Sequence, residues 1–185
     1  MPQRVCPWWL GYLLANPLRR LMQDPARMLA PYVREGMTVI EPGPGMGFFT
    51  LELARLAGPS GRVITLDIQP RMLTALKRRA RKAGLLERVD ARLVQPDSMN
   101  LADLAGAADF ALACFMVHEL PDTAGFFSEI AAALKPGGCL LLVEPDGHVK
   151  ADAFDAELKL AAEAGLVLAG RPSIRRSFAA LLKKA

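Results

Sequence analysis

Three glycines at alternating positions form the segment of this sequence whose spacing best suits ligand binding. The segment Glu41-Pro42-Gly43-Pro44-Gly45-Met46-Gly47 follows a short β-rich run, and a helical pattern begins after it. Glycine lacks a Cβ atom, so the backbone can turn sharply and a ligand can lie directly against it. The N terminus of the following helix would offer free N–H groups and a positive dipole end. The segment therefore predicts a binding loop between a strand and a helix.

Two acidic residues accompany this loop. Glu41 heads it, and Asp67 ends the next β-rich run, 20 residues past Gly47. A carboxylate at the end of a second strand can accept hydrogen bonds from both hydroxyls of a ribose. A carboxylate at the head of the loop would repel phosphate and would suit an ammonium or sulfonium group. Because the spacing G-x-G-x-G also differs from the G-x-G-x-x-G of dinucleotide sites, a nicotinamide-dependent oxidoreductase is only a remote alternative.

The two histidines of the chain both follow predicted strands of its second half. His118 and Glu119 come after the fourth strand, while Glu144 and His148 come at and after the end of the fifth. Since the carboxyl ends of parallel strands meet at one edge of a sheet, we expect both histidines near each other. Histidine is a natural general base near neutral pH. We therefore predict that these four residues are catalytic, with a hydrogen-bonded structural role for each as the alternative.

Strand and helix patterns alternate along the chain, which is typical of βαβ units and a parallel sheet. The predicted strands are 38–41, 62–67, 89–94, 109–115 and 139–144, and the predicted helices are 25–33, 48–56, 70–83, 123–134 and 152–164. Two further strands, 166–170 and 178–182, would form a terminal hairpin. The predicted fold is α/β, Rossmann-like and doubly wound. Its seven-stranded sheet would be mostly parallel, with a C-terminal antiparallel hairpin strand.

The loop and several later segments resemble the motifs of class I S-adenosylmethionine-dependent methyltransferases. The loop is similar to their E-x-G-x-G-x-G motif, and Asp67 matches the acid that they place on the cofactor ribose. Gln95-Pro96-Asp97-Ser98 resembles their G-D-A segment, whose aspartate reaches the adenine amino group, with Pro96 in place of the usual glycine. The segments 109–120 and 134–138 resemble their fourth strand with its sequel and their L-K-P-G-G turn.

This resemblance implies S-adenosylmethionine as the cofactor and methyl transfer as the reaction. It implies that the following residues bind the cofactor: Glu41, Gly43, Gly45, Gly47, Asp67, Ile68, Asp97, Ser98, Cys114 and Phe115. Glu41 would balance charge at the methionine end, and the ring of Phe115 could stabilise the sulfonium. Within the family, the chain is most similar to the branch of ubiquinone/menaquinone-biosynthesis C-methyltransferases and arsenite methyltransferases.

The motifs do not define the methyl acceptor. We expect a small molecule, with an RNA acceptor or a non-catalytic cofactor-binding regulator as alternatives. The formal net charge is +4, from 23 basic and 19 acidic residues, and basic residues cluster at 77–82 and in the C-terminal tail. Because no aromatic residues interleave with the charges at 77–82, that run is typical of the solvated face of a helix. We therefore disfavour a nucleic-acid partner and leave a homodimer open.

The three cysteines are Cys6, Cys114 and Cys139. Without C-x-x-C spacing they do not indicate a disulfide framework or a structural zinc site, so we predict no metal and a reducing, cytoplasmic compartment. Arsenite methyltransferases bring several cysteines to one arsenic atom. Cys114 should end one strand and Cys139 should begin the next, so we expect buried packing rather than a metalloid site.

The length of 185 residues suits a single domain. The apolar segment 5–15 is interrupted by Pro7, Trp8 and Trp9, which does not fit a signal peptide, and no apolar stretch reaches the roughly 18–20 residues of a membrane-spanning helix. We expect residues 1–30 to form a helical cap over the acceptor and 31–185 to form the methyltransferase domain. The alternative is that both tryptophans only pack the segment onto the sheet.

Overall fold

The computed structural model describes residues 23–185. Most of the expected cap, including Cys6, Trp8 and Trp9, lies outside the described residues. The described part of the chain divides into two compact units, one that ends at Val94 and one that runs from Gln95 to Ala185. Between residues 23 and 185, no helix combines the length and the apolar character needed to cross a membrane.

From residue 23 onward, the N-terminal unit alternates three α-helices with three parallel strands. Its elements are α1 (Pro25–Leu29), β1 (Thr38–Pro42), α2 (Thr50–Leu56), β2 (Arg62–Asp67), α3 (Pro70–Lys82) and β3 (Val89–Leu93). The strands are ordered β3-β2-β1, and Glu41 of β1 lies opposite Thr65 of β2. Along β2, five consecutive residues from Val63 to Asp67 are buried. Burial at successive positions means that both faces of the strand are covered, as expected for a parallel sheet.

Local sequence explains where the helices of this unit begin. The side chain of Asp24 accepts hydrogen bonds from the backbone N–H groups of Ala26 and Arg27, and Pro25 occupies the first position of α1. Pro70 takes the same position in α3. Aspartate is a favoured N-cap, and proline fits the first helical position because no intrahelical partner is needed there. The sequence predicted both starts.

The C-terminal unit contains four strands and two helices. Its elements are β4 (Ala108–Cys114), α4 (Thr123–Ala133), β5 (Leu134–Pro145), α5 (Ala151–Glu163), β6 (Leu166–Gly170) and β7 (Ser177–Lys184). The strands are ordered β4-β5-β7-β6. β4 and β5 are parallel, and β7 pairs antiparallel with both β5 and β6. The predicted antiparallel C-terminal hairpin is confirmed.

Strand β5 is longer than the sequence indicates. The sequence predicts a helix that ends at Leu134 and a turn at Pro136-Gly137-Gly138, but the whole segment from Leu134 to Gly138 belongs to β5. The register against β4 shifts between Ala108 and Phe110, and Gly137 has a φ of 78°. A bulge lets a strand bend without ending, so a Pro-Gly-Gly sequence that normally terminates an element is here accommodated within the strand.

Candidate functional site

The glycine loop connects β1 to α2 and has an open backbone at Gly45. Gly43, Gly45 and Gly47 have φ angles of 64°, 54° and 83°, which glycine adopts without strain. A Cβ atom added at Gly45 would meet no atom of the described residues within 4 Å. A Cβ atom added at Gly47 would lie 3.1 Å from Cγ of Leu76. Gly45 therefore leaves space that a ligand could occupy, whereas Gly47 allows the loop to pack against α3.

Arg79 of α3 supports this loop. Its Nη1 donates a hydrogen bond of 2.5 Å to the backbone oxygen of Met46, and Met46 packs with Met72 and Ala75. The sequence pattern predicts Arg79 on the solvated face of the helix, but its side chain is only partly exposed. A signal was present, because positions 72, 75 and 79 share one face of a helix. Arg79 thus belongs with the apolar stripe of α3 rather than with its solvated face.

Glu41 lies at the end of β1 with a buried side chain, 3% exposed. Its Oε2 accepts a hydrogen bond of 2.6 Å from Oγ1 of Thr50, the first residue of α2. Burial raises the pKa of Glu41 to about 8, the charge of Asp67 adds to the rise, and the hydrogen bond from Thr50 opposes it. A buried acid of this kind becomes a carboxylate readily only when a cation lies beside it. No motif in the sequence pointed to Thr50.

Asp67 is held in a fixed orientation at the carboxyl end of β2. Its side chain is nearly buried, and Oδ1 accepts a hydrogen bond of 2.8 Å from the backbone N–H of Gln69. This bond between an aspartate and the backbone two residues later is a common way to order a turn. Ile68, between the two residues, is partly exposed. Asp67 therefore ends β2, as the sequence predicted, and its contact with a ribose stays a prediction.

Asp97 and Ser98 lie in an exposed turn that begins the C-terminal unit. Gln95 and Ser98 form an isolated antiparallel bridge, and Oγ of Ser98 accepts a hydrogen bond of 3.1 Å from the backbone N–H of Asn100. Both predicted cofactor residues are exposed. Their side chains are accessible to a ligand, and their contact with adenine stays a prediction.

The end of β4 has an unusual backbone conformation. Phe115 follows Cys114, the last residue of the strand, with a φ of 61°, and its N–H donates a hydrogen bond of 2.8 Å to the oxygen of Val143 in β5. A bulky residue in the left-handed region is uncommon and is found disproportionately at functional sites. This conformation is compatible with the predicted role of Phe115 in the site. Contact between Phe115 and the cofactor stays a prediction.

His118 and Glu144 form a hydrogen-bonded pair. Nδ1 of His118 is bonded to Oε2 of Glu144, and Oε1 of Glu144 accepts a hydrogen bond of 2.8 Å from the backbone N–H of Val117. Glu144 is fully buried at the end of β5, whereas the His118 side chain is 26% exposed. The hydrogen bond to Glu144 raises the pKa of His118, and burial opposes this effect. A fixed Nδ1 leaves Nε2 as the nitrogen available to accept a proton.

His148 lies beside this pair, as the sequence predicted. The ring centroids of His118 and His148 are 6.4 Å apart, and the ring planes are inclined by 28°. Glu119, in the same short turn as His118, contributes to the raised pKa of His118 through its charge. The four residues predicted as catalytic therefore lie together at the ends of β4 and β5. Their catalytic roles stay predictions.

A third carboxyl group in this region was missed by the sequence analysis. Glu157 of α5 is 8% exposed, and its buried Oε2 has no hydrogen-bond partner within the described part of the chain. Burial and the charge of Glu144 raise the pKa of Glu157 to about 7, while His118 lowers it. The signal in the sequence was weak: Phe154, Glu157 and Ala161 share the buried face of α5, so an acid stands where an apolar residue is expected.

The two cysteines of the C-terminal unit are partly exposed, rather than buried as the sequence predicted, and they lie well apart. Cys114 lies opposite Val143 and Cys139 opposite Phe110 in the pairing of β4 with β5. Four residues along a strand correspond to about 13 Å, so these two thiols do not converge on one atom. Within residues 23–185, no three histidine, cysteine, aspartate or glutamate side chains are arranged to hold a metal ion.

A family model described as a methyltransferase domain matches residues 39–138. This match covers both the glycine loop and the segment that carries Asp97, Phe115 and His118. The chain belongs to this family, and the resemblance to class I S-adenosylmethionine-dependent methyltransferases is confirmed. The cofactor of the family, S-adenosylmethionine, agrees with the open loop at Gly45, the buried acid Glu41 and the fixed carboxylate of Asp67.

Relatives and a solved structure agree with this assignment. The chain is 33% identical over 112 residues to a ubiquinone/menaquinone biosynthesis C-methyltransferase of Pasteurella multocida, a match that covers 60% of this chain and 41% of the relative. It is 31% identical over 130 residues to a ubiquinone biosynthesis O-methyltransferase of Methylocella silvestris, which covers 70% of this chain and 48% of the relative. The chain thus spans less than half the length of these curated relatives.

The fold is also shared with a crystal structure of an S-adenosylmethionine-dependent methyltransferase from Aquifex aeolicus. The two agree with a TM-score of 0.86 at 22% sequence identity, over 98% of this chain and 100% of that one. At this level of identity, the likeness establishes the fold. The predicted α/β, mostly parallel fold with seven strands and an antiparallel C-terminal pair is confirmed.

Proposed function

We propose that the chain is an S-adenosylmethionine-dependent methyltransferase that acts on a small-molecule acceptor, with His118 as the general base. The observation that carries the proposal is the buried Glu41 at the head of a loop whose backbone is open at Gly45. A buried acid with a raised pKa is stabilised as a carboxylate by a cationic ligand and is a poor neighbour for phosphate. S-adenosylmethionine carries the required positive charges, and its sulfonium makes the methyl group electrophilic.

The residues of the N-terminal unit suit the binding of this cofactor. In the proposal, the open backbone at Gly45 accommodates the ligand, Asp67 accepts hydrogen bonds from the ribose hydroxyls, and Glu41 balances the positive charge. Asp67 is prepared for this role because its turn holds one carboxylate oxygen on the N–H of Gln69. Because Asp67 is already oriented, binding does not incur the free-energy cost of ordering its side chain, and the affinity is higher.

The His118–Glu144 pair suits the removal of a proton from an acceptor. Glu144 holds Nδ1 of His118, so Nε2 carries the free lone pair when the ring is neutral. A carboxylate on the far side of the ring also stabilises the imidazolium that forms after proton transfer. Glu144 itself is fully buried, so in this proposal it positions the base while His118 contacts the acceptor. His148, with its ring beside that of His118, is a second candidate for acceptor contact.

The relatives suggest which acceptors to test first. Both belong to ubiquinone or menaquinone biosynthesis by name, one as a C-methyltransferase and one as an O-methyltransferase. We therefore favour small aromatic acceptors with a hydroxyl group, whose deprotonation a histidine can assist. The proposal includes a reducing, cytoplasmic compartment.

The proposal is tested first by calorimetry with S-adenosylmethionine and S-adenosylhomocysteine. We expect micromolar dissociation constants, which correspond to binding free energies of order −7 to −8 kcal/mol. In Asp67→Ala the affinity should fall by at least about tenfold. Asp90→Ala is the matched control, because Asp90 is an exposed carboxylate of the neighbouring strand β3. Equal affinity of wild type and Asp67→Ala would overturn the cofactor site.

The second stage measures transfer of a radiolabelled methyl group to a panel of hydroquinones, catechols, small thiols and total RNA. We expect transfer to a hydroxyl-bearing aromatic compound, with the rate reduced about 100-fold or more in His118→Gln. Transfer to RNA alone would replace the small-molecule proposal. Cofactor binding without transfer to any member of the panel would favour a non-catalytic regulator.

A further inference from the structure

Glu157 is a buried acid whose position calls for an explanation. Its side chain lies on the buried face of α5, and Oε2 has no hydrogen-bond partner within residues 23–185. An ionised carboxylate in such a place is unfavourable by several kcal/mol unless another group compensates it. An apolar residue would fill the same space without this penalty. What distinguishes Glu157 from such an apolar residue is that its carboxyl group can gain or lose a proton.

A chain of contacts places Glu157 near the end of β5. Glu144 lies opposite Phe178 in the pairing of β5 with β7. The ring of Phe178 stacks on Phe154 of α5, with centroids 5.6 Å apart. Glu157 follows Phe154 by three residues, which puts the two side chains on the same face of the helix. The acid on α5 is thereby brought to the same strand end as Glu144, which itself is hydrogen-bonded to His118.

We propose that Glu157 is a positioning residue that acts through Glu144 and His118, so that gain or loss of its proton sets the charge of the His118 imidazole. When Glu157 is protonated, Glu144 is the buried carboxylate beside the ring. When Glu157 is ionised, its negative charge adds to those of Glu144 and Glu119, and the imidazole keeps its proton more strongly. The effect on catalysis rests on the proposed role of His118 as a base, but the effect on its charge does not.

The electrostatic surroundings support a coupling between these groups. Glu144 raises the pKa of Glu157 and His118 lowers it, while Glu144, Glu119 and Glu157 each raise the pKa of His118 through their charges. The ring of His148 faces the same imidazole. Since the pKa of Glu157 is about 7, its carboxyl group titrates in the pH range where a histidine also titrates.

Other charged groups on the elements around α5 lie elsewhere. The other charged residues of α5 are all exposed; they are Asp152, Asp155, Lys159 and Glu163. On α4, Glu129 accepts a hydrogen bond from the N–H of Met99. On β7, Lys183 lies opposite Cys139, at the far end of the strand pair from Phe178, and Lys184 follows it. Strand β6 carries no titratable side chain. Among the described residues, Glu144 and His118 are the charged groups that shift the pKa of Glu157.

The test is an NMR titration of the imidazole resonances between pH 5 and pH 9, in the absence of cofactor and acceptor. The chain has two histidines, so a His148→Asn variant assigns the remaining resonance to His118. In Glu157→Gln we expect the midpoint of the His118 titration to fall by about half a unit or more. Glu157→Leu should shift it in the same direction, and Glu163→Gln, at the exposed end of the same helix, should leave it unchanged.

Wild-type protein provides a measurement that does not depend on any variant. The side-chain carboxyl ¹³C resonance of Glu157 should titrate near pH 7, and the His118 curve should show an inflection at the same pH. A His118 midpoint that is unchanged in both Glu157 variants, or a Glu157 carboxyl that titrates in the ordinary range of glutamate, would overturn the proposal.

A catalytic measurement separates this inference from the proposed function. With an acceptor identified in the methyl-transfer panel, the pH profile of kcat/KM in Glu157→Gln should move to lower pH by the same amount as the NMR midpoint. A shift in the NMR midpoint without a shift in the pH profile would keep the coupling and remove His118 as the base. If the midpoint does not move while the panel still yields an acceptor, the coupling fails and the methyltransferase proposal stands.

Discussion

Thr50 donates a hydrogen bond of 2.6 Å from Oγ1 to Oε2 of Glu41, and both residues are buried. Glu41 belongs to β1 and Thr50 begins α2, so the bond joins the two elements that flank the glycine loop. The bond lowers the pKa of Glu41, whereas burial and Asp67 raise it. The balance of these effects determines how easily Glu41 becomes a carboxylate when a cation binds.

Replacement of Thr50 by valine tests this balance. Valine keeps the shape of threonine but cannot donate a hydrogen bond, so the pKa of Glu41 should rise further. At pH 7 the carboxylate would then be harder to form, and we expect affinity for S-adenosylmethionine to fall by about tenfold, in line with the ~1–1.5 kcal/mol of a buried hydrogen bond. Calorimetry checks this, with Thr50→Ser as a control that retains the hydroxyl. Equal affinities of Thr50→Val and wild type would show that the bond does not influence the site.

Cofactor binding should release a proton near neutral pH. With a pKa of about 8, the carboxyl of Glu41 is mostly protonated at pH 7, and a cation beside it would lower that pKa and expel the proton. We expect close to one proton per ligand at pH 7, and affinity that increases with pH up to about 8. Calorimetry in two buffers with different ionisation enthalpies counts the protons. A binding enthalpy that does not depend on the buffer would contradict a contact between Glu41 and the cationic end of the cofactor.

The sequence predicted the fold nearly completely, because the strands and their boundaries carry strong local signals. The apolar run at 62–67 and the run at 166–170 are observed as strands with the predicted limits. Proline marked the starts of α1 and α3, and glycine marked the ends of α3 and α5. Helix α1, however, ends at Leu29 and not at residue 33 as predicted. Strand β5 begins earlier than predicted because a bulge lets the strand include Pro136 and two glycines. The bulge depends on the pairing of β5 with β4 and not on local propensity.

The candidate site was predictable only where a motif or a residue type identified it. Glu41, Asp67 and the two histidines stood out by type and position. Thr50 and Glu157 carry no such signal, since their importance arises from side chains that are distant in the sequence. The hydrogen bond to Glu41 spans nine residues, and Glu157 lies 39 positions beyond His118. Tertiary packing brings such partners together, and a pattern within one helix does not reveal them.

The stability of the cofactor-free protein should decrease as pH rises from about 5 to about 8. In the folded state the pKa of Glu41 is about 8, against an ordinary value of 4.5, so the folded protein binds more protons than the unfolded chain in this interval. The stabilisation is complete below the ordinary pKa and is lost as pH rises through 8. Glu157, with its pKa raised to about 7, and His118, with its raised pKa, act in the same direction.

Glu41→Gln isolates the contribution of Glu41 to this pH dependence. Glutamine does not titrate and can still accept the hydrogen bond from Thr50, so the variant should gain stability relative to wild type by up to about 1.4 kcal/mol per pH unit over this interval. Urea unfolding at pH 5 to 9 measures the difference. Glu87→Gln, at an exposed carboxyl before β3, should keep the slope of the wild type. A difference between Glu41→Gln and wild type that is constant with pH would mean that Glu41 is not buried as a protonated acid.

Gly45 and Gly47 should respond differently to replacement by alanine, although both have positive φ angles. At either position alanine is strained by roughly 1–2 kcal/mol in the left-handed region. At Gly45 the added methyl group meets no described atom within 4 Å, so stability should fall only by that amount while the methyl group occupies space proposed for the cofactor. At Gly47 the methyl group would lie 3.1 Å from Leu76, and the core between the loop and α3 must adjust. We therefore expect Gly45→Ala to lose more affinity for S-adenosylmethionine, and Gly47→Ala to lose more stability in urea. The opposite ranking would show that the open side of the loop at Gly45 does not face the ligand.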